Sequence, residues 1–464
     1  MYTRAIATLS LLAATLLSGC ATYNESNARQ HALFMQGNFN EATALCEESA
    51  KEYANSKDAV IYNLQLGAAA RAANKLDIST NAFESAYKKI DYYSSQPEIS
   101  LSDEGTAFLV NQAYMPYKGY NYDKIMLCAY QALNFAELKE YEKAAVEIKR
   151  FENIQSQINA KSSAQNAQLG AQMQSQNISD YTFENPQIAA QLKRIYGKDF
   201  NEIKAIKPNT NANPYAYFVA GIVHTAAGCD TYNANRAADF FRLAFEKSGF
   251  KSKALAGCLA SAETRANSLF AGKNADAKKH TYIVYEAGCA PQRRQIRLNL
   301  PLFLIDENLP HVSVNFPYLS KENSYSENLN IVANSKKVNL EQIADFDEII
   351  ENEFMQNLPY VILRTMLSAA AKSTGQYFAK KASGDYGILV DIGGAIYQSA
   401  TNNADLRTWT NLPKKVYIAQ IETPQNAVIE IENAPLRLNL TKNNIVFIRK
   451  TSANSKVYVR NMEF

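Results

Sequence analysis

Little in this chain points to chemistry. Its 464 residues include only six cysteines, four histidines and one tryptophan. No two cysteines stand at CxxC spacing, which removes zinc-knuckle and thioredoxin-type readings. The histidines (His31, His224, His280 and His311) are far apart and outside any HExxH pattern, so no metal or cofactor is indicated. A GxSxG elbow is missing too, and with it the commonest local signature of a serine nucleophile. Charge of neither sign dominates: 48 Lys and Arg stand against 45 Asp and Glu, a balance that argues against nucleic-acid binding. The chain reads as a non-enzyme.

What is present begins at the N-terminus. Arg4 supplies a basic n-region, Ala5 to Leu17 an apolar run, and Ser18-Gly19 the small residues before a cut. That run is shorter than the roughly 20 residues a hydrocarbon core requires. A cysteine follows directly, and "LSGC" resembles the lipobox of bacterial lipoproteins. The resemblance implies removal of residues 1–19, acylation of Cys20, and stable membrane anchoring by three acyl chains. Ala21 follows where an aspartate would suggest inner-membrane retention, which favours the periplasmic face of the outer membrane. Residues 20–30, starting "CATYNES", are then expected to form a lipidated tether.

From residue 24 to about 275 apolar residues recur at three and four, the period of amphipathic helices. Prolines are few and fall at turns. "GNFNEATALCEESA" has the spacing of the second half of a tetratricopeptide (TPR) repeat, with Gly37, Phe39, Ala42 and Cys46. "YNLQLGAAARAANKLDISTNAFESAY" repeats it: Gly67 in a first helix, Asn74 at the turn, Ser79, Phe83 and Ala86 in a second. Further copies centre on Ala144 and on Gly221 with Ala238, the last stretched by a few residues at its turn. The Gln/Ala/Ser-rich stretch 155–177 reads as a solvated helix extension or a loop.

The texture changes between 270 and 281. "TYIVYEAG", "RRQIRLNLPLFLID" and "VSVNF" read as strands, and "LNIVANSKKVNL" as a hairpin turning at Asn334-Ser335-Lys336. "NLEQIADFDEIIENEF" is expected to be an amphipathic helix. A second helix opens at Pro359, with a stripe of Leu363, Met366, Leu367, Ala370 and Phe378, and "GILVDIGGAIYQSA" continues it. After Pro413 five strands return. The expectation is an α+β multidomain chain: a TPR-like α-solenoid over 31–275, then a β-sandwich-like domain over 281–464 with a helical insertion at 341–400.

Five segments in register resemble an uncharacterised family of TPR-bearing lipoproteins of Gram-negative bacteria. They are "GYNYDKIMLCAYQALNFAELKEYEKAAVEIKR" (119–150), "NPYAYFVAGIVHTAAG" (213–228), "YEAGCAPQRRQIRLNLP" (285–301), "LPYVILRTMLSAAAK" (358–372) and "ADLRTWTNLPKKVYIAQ" (404–420). The resemblance implies an outer-membrane envelope lipoprotein, linked to cell-wall synthesis or envelope assembly.

Several functional readings follow. As a periplasmic scaffold for envelope proteins, the helical half would use a concave surface, with Ile61, Leu64, Ala68 and Arg71 either lining it or packing against neighbouring helices. As a lipid- or glycan-binding module, the C-terminal half would enclose a cavity beside the 359–382 helix and "DIGGAI". An envelope-polymer hydrolase would need a nucleophile, and Cys289, in a turn flanked by Glu286 and Arg293-Arg294, is the one cysteine expected at a surface, although a structural thiol is the better reading of it; an exposed ion pair is the plain reading of that turn. Trp409, with Asp405 and Arg407, either fills a seam or presents a binding aromatic. Cys46 and Cys128 read as buried free thiols. Cys229 and Cys258 are the one pair considered for a disulfide, since a helix-loop-helix could bring them within ~4.4–6.8 Å.

Overall fold

The computed structural model describes residues 22–96, 113, 115–175, 186–198, 200–205, 213–228, 230–249, 251–273, 278–301, 311–321, 324–362, 365 and 403–464. Cys20, Cys229, the apolar stripe from Leu363 to Phe378 and "DIGGAI" lie outside the described residues. The architecture is α+β, helices first and sheets after.

The described residues begin at Thr22. Helix α1 (Tyr23–Ser26) opens with a capping box in which Thr22 and Glu25 satisfy each other's backbone donors. Helix α2 (Ala28–Met35) follows without a linker. Asn24 Nδ2 donates to the Arg293 carbonyl at 2.6 Å, Tyr23 packs its ring 5.8 Å from that of Tyr62, and Asn27 and Gln30 are buried. The expected tether over 20–30 is therefore folded from Thr22 onward. The polar residues that suggested solvation instead cap helices and bond to the body.

The next helices pair as antiparallel hairpins: α3 (Phe39–Glu52) against α2, α4 (Ala59–Ala72) against α5 (Leu76–Ser95), α6 (Asn121–Glu137) against α7 (Tyr141–Ser175). The stretch 155–175 continues α7, so the helix-extension reading is the one observed. Two short helices, α8 (Pro186–Tyr196) and α9 (Phe200–Lys204), precede a further trio: α10 (Pro214–Ala227), α11 (Thr231–Lys247) and α12 (Lys253–Phe270). Asn213, Asp230 and Ser252 cap this trio with side-chain oxygens. Glycine matters at two crossings. A Cβ on Gly67 would sit 2.3 Å from the Phe83 ring, and one on Gly221 2.6 Å from the Phe241 ring. Each helix pair thus closes a phenyl ring onto bare backbone.

A five-stranded mixed sheet has the order β11-β10-β1-β7-β6. Its strands are β1 (His280–Ala287), β6 (Glu341–Asp345), β7 (Lys415–Glu422), β10 (Asn444–Lys450) and β11 (Tyr458–Glu463). β1 is central, parallel to β10 and antiparallel to β7. β2 (Gln292–Pro301) and β3 (His311–Ser320) form a separate ribbon. β4 (Ile331–Ala333), β5 (Lys336–Lys337), β8 (Val428–Ile431) and β9 (Ala434–Arg437) form a second sheet in the order β5-β4-β8-β9. Asn334 and Ser335 turn the β4–β5 hairpin with φ of 49° and 59°, as a two-residue hairpin loop requires.

Alternate residues of the large sheet serve two cores. Tyr282, Val284, Val416, Ile418, Ile445 and Phe447 join the helical core. Ile283, Tyr285, Tyr417, Ala419, Val446 and Ile448 pack with Ile331, Ile429 and Ile431 of the second sheet. A sheet covered on both faces reads as a near-continuous apolar run, which is what "TYIVYEA" is. The helical core continues into the sheet without interruption, so residues 31–275 and 281–464 share one interior.

One expected helix start is corrected. Glu341–Asp345 is strand β6, pairing with β7 across a bulge, and helix α13 covers 346–362. Asp345 Oδ1 accepts from the backbone N–H of Asp347 (3.0 Å) and Glu348 (3.3 Å), so it caps the helix. β7 offered an open row of backbone groups, and pairing with it outweighed a helical pattern in 341–345.

Candidate functional site

The residues singled out as a concave groove do not line an open surface. Ile61 and Leu64 are 0 % exposed, Ala68 5 % and Arg71 4 %. α4 is buried on every side from Ala59 to Arg71. An α-helix apolar nearly all round is an interior helix, and "AVIYNLQLGAAARA" carries that signal.

The chain itself fills the groove. Segment 403–412 lies across α4 and α5, joined reciprocally to Gln65. Its Nε2 donates to the Thr408 carbonyl and Thr410 Oγ1, both at 3.1 Å, while Asn411 Nδ2 donates back to the Gln65 carbonyl at 3.1 Å. Trp409 is fully buried, edge-on to Phe83 (5.8 Å between centroids) and Tyr130 (6.0 Å). Its indole Nε1 has no hydrogen-bond partner among the described residues.

Asp405 and Arg407 stand two residues apart and pair in a fork, Nε to Oδ1 at 2.8 Å and Nη2 to Oδ2 at 2.7 Å. Arg407 Nη1 reaches Asp58 Oδ1 at 2.7 Å and the Met115 carbonyl at 2.8 Å. Burial alone would raise the Asp405 carboxyl. The Arg407 charge and its hydrogen bonds outweigh burial and hold Asp405 below the usual carboxylate range. Removing either partner would strand a buried charge, at ~3–5 kcal/mol. The motif is a clasp between the C-terminal half and the start of α4.

Beside it runs a charged layer between helices and sheet. Arg71 pairs with Glu137 at 2.7 Å, and Arg460 approaches the same carboxylate at 3.3 Å. Glu286 on β1 accepts from Tyr130 (3.0 Å) and Tyr215 (2.8 Å) and lies 3.9 Å from Arg449. The surface ion pair expected of Glu286 with Arg293-Arg294 is not what forms. Glu286 points into the helices, Arg293 is buried with its guanidinium 4.0 Å over the Tyr120 ring, and Arg294 is exposed.

Cys289 is likewise not at a surface. It is 1 % exposed, with Arg449 Nη2 3.7 Å from its sulfur. Burial pushes its thiol up to about 11, so it stays protonated and a poor nucleophile at neutral pH. Cys46, Cys128 and Cys258 are also free and buried. Cys258 is the described half of the pair considered for a disulfide; Cys229 is not described.

A further opening was not foreseen. Between α10, α11, α12 and the start of β1 lies a cleft of about 450 Å³. Its walls carry hydroxyls (Thr225, Ser261, Thr264, Ser268), cations (Arg265, Lys278) and the polar rings of His280 and Tyr282. Small residues, among them Ala234, Ala237 and Ala262, line it too. In sequence the only hint is the alanine and serine density of "KALAGCLASAETRANS", which reads equally well as close helix packing. Among the described residues no group of three or more His, Cys, Asp or Glu could hold a metal ion, and no helix is long and apolar enough to cross a membrane.

Compared with protein-family models, with curated proteins and with solved structures, the chain gives no match.

Proposed function

We propose that this chain is a cell-envelope lipoprotein, held by acyl chains on Cys20 at the periplasmic face of the outer membrane, and that it serves as a non-catalytic scaffold for envelope proteins. The observation that carries the reading is the helix Tyr23–Ser26 and its bond to the body. The chain is helical and bonded to the body from Thr22, two residues beyond the lipobox-like cysteine. A body fastened that closely is held in place at the membrane surface rather than roaming on a leash.

The ring-on-glycine crossings at Gly67–Phe83 and Gly221–Phe241 support a TPR-like reading of the helix hairpins. The two facing sheets with a common apolar interior support a sandwich-like reading of the β-rich half. In this scaffold the face that would hold a partner's peptide holds the protein's own segment 403–412, so partners would meet the outer faces of the hairpins. Buried, protonated thiols and a charged layer whose groups stand in ion pairs with one another support the non-enzymatic reading.

Expression of the wild type and Cys20→Ser in a Gram-negative host, with labelled palmitate and separation of inner from outer membrane, tests the anchor. Label and outer-membrane sedimentation are expected for the wild type alone. A labelled Cys20→Ser protein would refute it. Cross-linking in intact envelopes tests the scaffold: adducts are expected at exposed hairpin positions such as Val146, and their absence across those faces would count against it.

A further inference from the structure

Lysine is rarely buried unless it is paired, and among the described residues buried ion pairs belong to arginine with one exception. Arg71, Arg407 and Arg449 are the other buried cations that face carboxylates. Lys414 stands against Asp347, with 8 % and 13 % of the two side chains exposed. The other described lysines in ion pairs keep 20 % or more of the side chain exposed. The difference is chemical. A guanidinium cannot be deprotonated in a protein, whereas a lysine amine can act as a nucleophile.

Backbone bonds fix both partners. The Lys414 N–H donates to the Ala287 carbonyl at 2.9 Å, and its carbonyl accepts from the N–H of Phe346, the residue before Asp347, at 2.8 Å. Asp345 Oδ1 holds the Asp347 N–H at 3.0 Å. A Cβ on Gly288 would sit 2.8 Å from Lys414 Cβ, so the lysine stem runs against bare backbone. The Tyr325 ring centroid lies 5.8 Å from Nζ.

Nζ meets Asp347 Oδ2 and also donates to the Lys321 carbonyl at 3.1 Å. Asp347 Oδ1 is buried and has no hydrogen-bond partner among the described residues. Burial raises the Asp347 carboxyl in spite of the neighbouring ammonium, which favours its protonated form.

We propose that Lys414 and Asp347 condense without an enzyme after folding, joining Nζ to Cγ in an intramolecular amide that ties the residue before β7 to the first turn of α13. The ammonium passes one proton to the carboxylate, leaving a neutral amine and a neutral acid. The Nζ lone pair attacks Cγ; Oδ2 departs with that proton and a second one from the amine, so one water is released. No oxidant, reductant or co-reactant is required. Two buried charges, each costly to keep out of water, are absent from the product. Its N–H keeps the Lys321 carbonyl as acceptor. Partners held side by side by their own backbones supply the proximity such a step needs. The inference is independent of the anchor at Cys20 and of the scaffold reading.

Tryptic mapping of the purified full chain after denaturation is the test. Without the amide, residues 338–364, which contain Asp347, are released as a free peptide. With it, 338–364 is joined to 408–415, because a modified Lys414 resists trypsin, and the joined species is lighter than its two parts by one water. The joined species is expected from the majority of wild-type chains, with fragmentation placing the bond between Lys414 and Asp347. Lys414→Arg keeps a cation beside Asp347 and should release 338–364 unlinked, as should Asp347→Ala. Recovery of 338–364 unlinked from most wild-type chains would overturn the inference whatever the variants do. A joined species that survives Lys414→Arg would overturn it as well.

Discussion

Truncating Trp409 to alanine asks whether segment 403–412 is a keystone or a decoration. A fully buried tryptophan removes ~150–250 Å² from water, worth ~4–6 kcal/mol at ~25 cal/mol per Å². Its edges on Phe83 and Tyr130 add ~0.5–1.5 kcal/mol each. Against this stands the unpartnered Nε1, a desolvated donor costing ~1–3 kcal/mol. The balance puts Trp409→Ala at about 5 kcal/mol of lost stability, at the top of the ~3–5 kcal/mol range of large-to-small core substitutions. Trp409→Phe separates the contributions. It keeps much of the apolar contact and removes the orphan donor, so a loss of only about 1–1.5 kcal/mol is expected. Urea unfolding followed by far-ultraviolet circular dichroism, which does not need the indole, measures both variants. The midpoint should fall with little change in slope. A loss under about 1 kcal/mol for the alanine variant would refute the keystone role, and equal losses for the two variants would refute the argument from the orphan N–H.

Two further outcomes follow from burial. Cys46, Cys128, Cys258 and Cys289 should resist iodoacetamide in the native protein and react after unfolding, because burial raises all four thiols; peptide mapping that finds native labelling at Cys289 would contradict its packing beside Arg449. Asp123, buried at the start of α6 and accepting from Tyr117 and the Tyr120 backbone, has its carboxyl pushed up to about 7 by burial. A carboxyl that holds its proton more tightly folded than unfolded favours the fold at low pH, and that contribution fades as pH rises from about 4 to about 7, by up to ~4 kcal/mol. Asp123→Asn should therefore flatten the fall in stability between pH 5 and pH 7.5 relative to the wild type, and identical pH profiles would exclude the effect.

Local periodicity in the sequence was enough to determine most of the elements, β6 excepted. Apolar spacing of three and four marked the helices, apolar runs marked β1, β7 and β10, alternation marked β8, and Asn334-Ser335 marked a hairpin turn, because each signal depends on residues within one or two turns of chain. That Gly67 and Phe83 belong to the two helices of one hairpin was legible for the same reason; that each ring closes onto its glycine, Phe83 on Gly67 and Phe241 on Gly221, came with the structure. The charge clasp of Asp405 with Arg407 was readable at a spacing of two residues.

Whatever depends on distant partners only the tertiary structure decided. Pairing of β1 with β10, some 163 positions apart, leaves no local trace. Ile61, Leu64, Ala68 and Arg71 have the same helical spacing whether they face a partner's peptide or their own chain; that Gln65 meets Thr408 and Phe83 meets Trp409 across that surface is set by contacts more than 300 residues long. Glu341–Asp345 became a strand because β7 had an unpaired edge, and Cys289 was buried because Arg449 came to lie on it. A cleft formed where the last helix pair and the sheet end fail to close, a property of two surfaces that no single segment encodes.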